Sequence, residues 1–379
     1  MQRITLDYTP AIEQRGGIGR YVRELTAALA SLDSEDNYRL FVAGANPDSL
    51  PSLPAANFRW RATRLSSRWL ARLWHRARLP LPVEAFTGSI DLFHATDFVL
   101  PPTLPNTRTL LTVHDLSFLR VPEAASPPLK AYLDAVVPPS VARAGHILAD
   151  SQATKDDLIA LYGCPAEKIT VLYCGVDAHF RPIRDPALLR ACRRDYGLDG
   201  VDYLLSVGTV QPRKNYSRVI QAVAAVRQQG YDLHYAIAGG KGWLEDEMHQ
   251  TIARLGAHSF VHLLGLVDDA DLPALYSGAR TLIMASLYEG FGLPVLEAFA
   301  CGCPVISSDR SSLPEVAGEA ALLIDPASTT DLVDAIIALE EQPALRERLV
   351  QAGYARAAGF TWQRSAQQLR SIYAALLAG

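Results

Sequence analysis

Short runs of consecutive apolar residues alternate with stretches whose apolar residues recur every three or four positions, from one end of the chain to the other. The runs Ile4–Tyr8, Arg39–Ala43, Asp91–His94, Thr109–Val113, Gly145–Ala149 and Ile169–Leu172 predict one set of strands. Tyr203–Val207, Leu233–Ala238, Phe260–Leu264, Thr281–Ala285, Pro304–Ser307 and Ala321–Ile324 predict a second. Their hydrophobicity is continuous, which suits strands covered on both faces in parallel sheets. The intervening stretches read as helices; after the first strand, for example, Tyr21, Val22, Leu25, Leu29 and Leu32 share one face. The predicted class is α/β, with two doubly wound domains. Loop punctuation by Pro182, Pro186, Gly197 and Gly200 separates the strand sets, so the expected domains are residues 1–180 and 181–360.

Length agrees with that division, since 379 residues exceed one ordinary core of ~100 to 200. With 49% hydrophobic and 20% charged residues the composition is that of a packed globular protein. No apolar run approaches the ~18 to 20 residues of a membrane span, and the first residues lack a signal-peptide core. Cys164, Cys174, Cys192, Cys301 and Cys303 fit neither a disulfide framework nor zinc spacing. The expectation is a cytoplasmic protein with reduced thiols. A net charge of -4 and the lack of a binding motif argue against nucleic acid as partner.

Open α/β sheets bind ligands beyond the carboxyl ends of their strands, and three motifs fall there. Gly16-Gly17-Ile18-Gly19 precedes a helix, where glycine amides suit phosphate oxygens; a plain tight turn explains it equally well. Arg213-Lys214 follows Tyr203–Val207 and suits a diphosphate leaving group; a solvated basic loop is the alternative. Glu289 and Glu297 flank a Gly290-Phe291-Gly292-Leu293-Pro294 turn, with Glu297 expected on a helix and Glu289 before it. Carboxylates there can accept from sugar diols, or merely favour the helix dipole.

These motifs, together with His114-Asp115, Gly208 through Asn215, and Leu264-Gly265-x-Val267 leading to Leu275-Tyr276-x-x-Ala279, occur in one order. In that order the chain resembles the retaining glycosyltransferases of family 4 over essentially its full length, most specifically from Tyr203 to Asp325. The resemblance implies a GT-B fold, two Rossmann-like domains facing across a cleft, with a terminal helix at 361–379 packing back on domain one. It implies a nucleotide-sugar donor as substrate, with no cofactor. Matched by residue, Arg213 and Lys214 bind the donor diphosphate, Glu289 the transferred sugar and Glu297 the ribose. Gly16 and Gly17 face the phosphates, and His114 lies near the donor sugar. Gly265 and Val267 lie at the nucleobase edge, and Gly292 and Leu293 belong to the donor-binding turn.

The expected reaction is hexose transfer with retained configuration. The acceptor hydroxyl attacks beside the departing diphosphate, whose charge Arg213 and Lys214 stabilise without a metal. Asp269 and Asp271 read as helix caps, and no metal is assigned. His114 keeps three readings: a sugar hydrogen bond, proton movement, or a cap on its own strand end. Residues His114 through Glu123 look like bacterial enzymes that mannosylate surface polysaccharide, which makes GDP-mannose the first donor expected, with UDP-sugars open. A catalytically silent nucleotide-sugar binder is the rival reading. An NAD-linked oxidoreductase is disfavoured by the glycine spacing.

Finally, no acidic residue lies between Asp48 and Glu84, a stretch that holds Arg59, Arg61, Arg64, Arg68, Arg72, Arg76 and Arg78 with Trp60, Trp69 and Trp74. Drawn as one helix, Arg64–Arg78 places Leu65, Trp69, Leu70, Leu73 and Trp74 on one side. That side either meets an anionic membrane surface or covers the sheet. On the membrane reading the protein is peripheral to the inner face of the cell membrane, and its acceptor is a saccharide or a lipid-linked saccharide.

Overall fold

The computed structural model describes residues 1–77 and 79–378, so Arg78 of the basic stretch and Gly379 of the terminal segment lie outside the described residues. The chain forms two compact units. The first comprises Met1–Leu116, Pro128–Gly175 and Trp362–Gly379, and the second Ser117–Pro127 and Val176–Thr361.

In the first unit seven parallel strands form one sheet: β1 (Arg3–Asp7), β2 (Asn37–Ala43), β3 (Phe58–Thr63), β4 (Leu92–Ala95), β5 (Arg108–Val113), β6 (His146–Ala149) and β7 (Ile169–Val171). Their order is β3-β2-β1-β4-β5-β6-β7, so the direction of winding reverses between β1 and β4. Ile4, Leu6, Leu92, Phe93, Leu110 and Leu111 are buried on both faces, as the continuous apolar runs predict. β3 was not anticipated by that pattern. It alternates Arg59 and Arg61 outward with a buried Phe58 inward, the signature of an edge strand.

The last helix, Trp362–Ala378, packs on the helix Gly17–Leu32 of this unit. Its Tyr373 hydroxyl meets His94 Nδ1 at 2.7 Å, Ser365 donates to the Tyr173 carbonyl, and Arg370 lies 3.4 Å from the Asp33 carboxylate.

The second unit holds six parallel strands, β8 (Asp202–Val207), β9 (Leu233–Ala238), β10 (Val261–Gly265), β11 (Thr281–Met284), β12 (Val305–Ser308) and β13 (Leu322–Ile324). The order β10-β9-β8-β11-β12-β13 reverses between β8 and β11. Leu204, Ile220, Val223, Ile237, Ile283 and Ile306 form its core.

Two details differ from the expected domain plan. The chain changes unit at Gly175–Val176, earlier than residue 180, because Val176 N bonds the Phe360 carbonyl and Phe180 packs edge-on to Tyr276. Ser117–Pro127, which the sequence places inside the first domain, groups with the second unit.

The basic stretch also differs from one regular helix. Ser66 caps Ser67–Ala71 by accepting from Trp69 N, and Arg72–Arg76 continue as a π turn. The wider turn breaks the single stripe of 100° periodicity. Leu70 is buried, and Trp74 turns inward to donate to the Leu81 carbonyl and meet Phe86 edge-on. Trp69 is left 55% exposed, with the Arg72 guanidinium over its ring.

Candidate functional site

In the second unit the winding reversal puts the loop after β8 beside the loop after β11, and these carry the charged motifs. Gly208, at φ 145°, turns the chain out of β8; a Cβ there would come within 2.9 Å of Lys214 Cε. Pro212–Lys214 then form a single 3₁₀ turn, ended by Asn215 in the left-handed region. Asn215 Nδ2 bonds the carbonyls of Ala285 and Pro326, which anchors this turn to the strand ends of β11 and β13.

From that turn Arg213 Nη1 donates to Glu289 Oε2 at 2.6 Å and to the Tyr288 carbonyl, while Lys214 Nζ donates to Glu289 Oε1 at 2.7 Å. All three side chains are largely buried. Burial alone would raise the Glu289 carboxyl, yet the charges of Arg213 and Lys214 hold it down at about 2. Ser311 Oγ accepts from Glu289 N, and Ser312 Oγ donates to the carbonyls of Glu289 and Phe291, which fixes the turn. Two cations against one carboxylate leave the cluster with a positive excess, suited to a diphosphate next to a hydroxylated ring.

Gly292, at φ 114°, starts the helix Leu293–Ala300 with Pro294 in its first turn. Glu297 lies on this helix, is 2% exposed, and accepts from the Tyr276 hydroxyl at 2.7 Å. As expected, Glu297 stands on the helix and Glu289 before it; Glu289 pairs with the two cations, and Glu297 accepts from a tyrosine. Gly265 ends β10 with its carbonyl accepting from Gly239 N, and Val267 is buried just beyond. Asp271 precedes the helix Leu272–Gly278, but its carboxylate takes the Tyr196 hydroxyl instead of capping helix amides.

In the first unit, Gly16 precedes the helix Gly17–Leu32, separated from β1 by the short helix Thr9–Glu13. Gln14, just before it, donates to Asp97 Oδ2 beyond β4, so the glycine loop is tied across the winding reversal. Asp7 closes β1, and its Oδ1 accepts from Thr9 N. Burial, with Asp97 and Glu13 adding, pushes the Asp7 carboxyl up to about 6. Beside it, Tyr8 and Trp60 form an edge-on pair at 5.4 Å. Asp7, Asp97 and this pair escaped sequence reading because they carry no local motif; only the pairing of β1 with β4 brings the two carboxylates to one place.

His114 sits at the end of β5, buried, with Nδ1 2.7 Å from Asp150 Oδ2 and Nε2 2.9 Å from the Thr96 carbonyl. Both partners can accept, so the arrangement favours a ring protonated on both nitrogens. Burial alone would push the ring's pKa down, but Asp150, with Asp97 behind it, pushes it up to about 9. His94 is the contrast: its ring nitrogens meet the hydroxyls of Tyr373 and Thr112, and burial, with His114 adding, pushes it down to about 3, so it is neutral.

Comparison with known proteins points the same way from both halves. Residues 192–356 match the family described as Glycosyl transferases group 1, and residues 15–180 match Glycosyltransferase Family 4. The chain is 32% identical over 371 residues to O-antigen chain mannosyltransferase B of Escherichia coli, covering 94% of this chain and 95% of that protein. Among solved structures, sucrose-phosphate synthase from Thermosynechococcus elongatus superposes with TM-score 0.79 at 22% identity, over 100% of both chains. Anabaena Alr3699/HepE in complex with UDP-glucose superposes with TM-score 0.75 at 19% identity, over 99% of this chain and 100% of the other.

Proposed function

This chain belongs to glycosyltransferase family 4, with the GT-B fold, and on that premise we propose that it moves a hexose from a nucleoside-diphosphate sugar to a saccharide hydroxyl with retention. One observation carries the reading: Arg213, Lys214 and Glu289 converge at the winding reversal of the second sheet. The β-phosphate and the hexose it carries are bonded neighbours, and so are the cations and the carboxylate assigned to them.

In the proposed reaction the acceptor oxygen forms a bond to the anomeric carbon while the bond to the phosphate oxygen breaks on the same face. The acceptor proton passes to the departing phosphate oxygen. Arg213 and Lys214 stabilise the charge that grows there, a role that needs no metal. Glu289 accepts from hexose hydroxyls and Glu297 from the ribose. Gly16 and Gly17 approach the phosphates, Gly265 and Val267 edge the base, and Gly292 and Leu293 shape the turn. His114, as an imidazolium, contributes electrostatics. Asp7 and Asp97 are suited to acceptor hydroxyls, since carboxylates accept from diols and repel phosphorylated rings.

Similarity to an O-antigen chain mannosyltransferase supports mannose from GDP-mannose, and a bacterial surface polysaccharide as product. Likeness to a fold that holds UDP-glucose keeps a UDP-hexose as the second reading. Exposed Trp69 and Leu65, with Arg64, Arg68, Arg72 and Arg76 also exposed around them, support a peripheral position on an anionic membrane where lipid-linked acceptors reside.

The deciding experiment offers GDP-mannose and UDP-glucose with a saccharide acceptor, follows diphosphate release, and reads the new linkage by NMR. Thermal shifts by GDP and UDP identify the base. Retained configuration, and loss of transfer in Arg213→Ala, are expected. An inverted product would overturn retention. Binding of a nucleotide-sugar without turnover in any combination would leave a silent sensor.

A further inference from the structure

Ser117–Pro127 leaves the first unit directly after His114-Asp115-Leu116 and lies in the second. It folds as Ser117–Arg120 followed by a 3₁₀ turn, Pro122–Ala124, with Phe118 and Ala124 buried. Trp243 Nε1 donates to the Ala124 carbonyl at 2.8 Å. Trp243 stands in the loop Gly239-Gly240-Lys241-Gly242-Trp243 after β9, and that loop is keyed to the loop after β8. Val210 N bonds the Gly240 carbonyl, and Trp243 N bonds the Val210 carbonyl. A Cβ at Gly239 would lie 1.8 Å from the Gly208 carbonyl oxygen, and one at Gly242 would lie 1.9 Å from that of Val210. The backbone contacts are thus too close for any side chain, and the two loops hold one relative position. The loop so fixed is the one that runs into Arg213 and Lys214.

We propose that Trp243 is a positioning residue for transfer: by holding Ala124 it fixes the 117–127 strap to the loop that carries the diphosphate-binding cations. The inference rests on the proposed reaction and extends it. The indole N–H joins the strap to the loop after β9, which is itself keyed to the cation loop. In sequence the strap begins two residues after Asp115. Occupation of the cation loop by a diphosphate then steadies the strap through Trp243.

Trp243→Phe keeps an aromatic ring and removes the donor. Expected are an unchanged melting temperature, unchanged donor KM, and a fall in kcat of about tenfold or more. Limited trypsin digestion reads the strap directly by cleavage after the exposed Arg120. In the wild type GDP or UDP slows this cleavage; in Trp243→Phe cleavage is faster and the nucleotide no longer slows it. A variant with wild-type kcat and wild-type cleavage overturns the proposal, as does a kcat loss matched by loss of donor binding. If Trp243→Phe does not fold, the wild type alone still decides, because absence of nucleotide protection at Arg120 overturns the coupling. Wild-type turnover is measured in the same assay, so a chain that transfers no sugar counts against the proposed reaction, while the trypsin arm needs no acceptor.

Discussion

In the second unit, strand ends beside the winding reversal bring Arg213 and Lys214 onto a single carboxylate; in the first, the corresponding ends gather Asp97 and Asp150 around one imidazole, with Asp7 beside Asp97. The frame is the same, a parallel sheet whose order turns at β8/β11 or β1/β4, and the electrostatics are reversed. A ligand with a diphosphate suits the first arrangement, and one that offers only hydroxyls suits the second. The positive charge of the first unit lies elsewhere, in the exposed arginines around Trp69. The shared frame places both groups at strand ends, and the residues there set the sign of the charge each presents.

The sharpest way to break this contrast is Glu289→Gln. It keeps the shape but removes the charge shared by two buried cations, so transfer should fall by ~100-fold or more. Uncompensated cations should also lower stability by ~3 to 5 kcal/mol. A rate within a factor of two and an unchanged melting temperature would refute the assigned cluster.

The two regions should also respond to pH with opposite signs. Glu289 is held down at about 2 from an ordinary 4.5, so its stabilisation is complete above 4.5 and is lost as pH falls toward 2. His114 is pushed up to about 9 from 6.5, so its stabilisation is complete below 6.5 and is lost as pH rises through 9. Melting curves of wild type and His114→Gln should therefore converge at alkaline pH and separate most below pH 6.5. Curves that stay equally far apart across this range would contradict the imidazolium.

The smallest effect concerns the outer surface of the first unit. Trp69→Ala should weaken sedimentation with vesicles containing anionic phosphatidylglycerol by about tenfold, with little change on neutral vesicles. Trp74 is a poor choice for this test, because it packs inward against Phe86. Equal sedimentation of wild type and variant would leave Trp69 without a membrane role.

Much of this could be read in advance, and the failures have physical causes. Twelve of the strands announce themselves as apolar runs, but β3 does not, since an edge strand is apolar on one side only and its arginines hide it. The Arg213-Lys214 pair and Glu289 were marked by their motifs, yet their mutual pairing joins residues more than seventy positions apart. Glu297 was marked by its place after the glycine turn, but its hydrogen bond from Tyr276, twenty-one positions earlier, belongs to the fold.

Local patterns specify strands, helices and tight glycine turns because these depend on neighbours along the chain, and here they sufficed for the α/β class and the place of the cation pair. The charge state of His114, the gathering of Asp7 with Asp97, and the reach of Trp243 to Ala124 depend on strands and loops brought together from distant positions. Burial then decides which charges survive, since an ionised side chain out of water persists only beside a partner, and partners are chosen by the folded sheet.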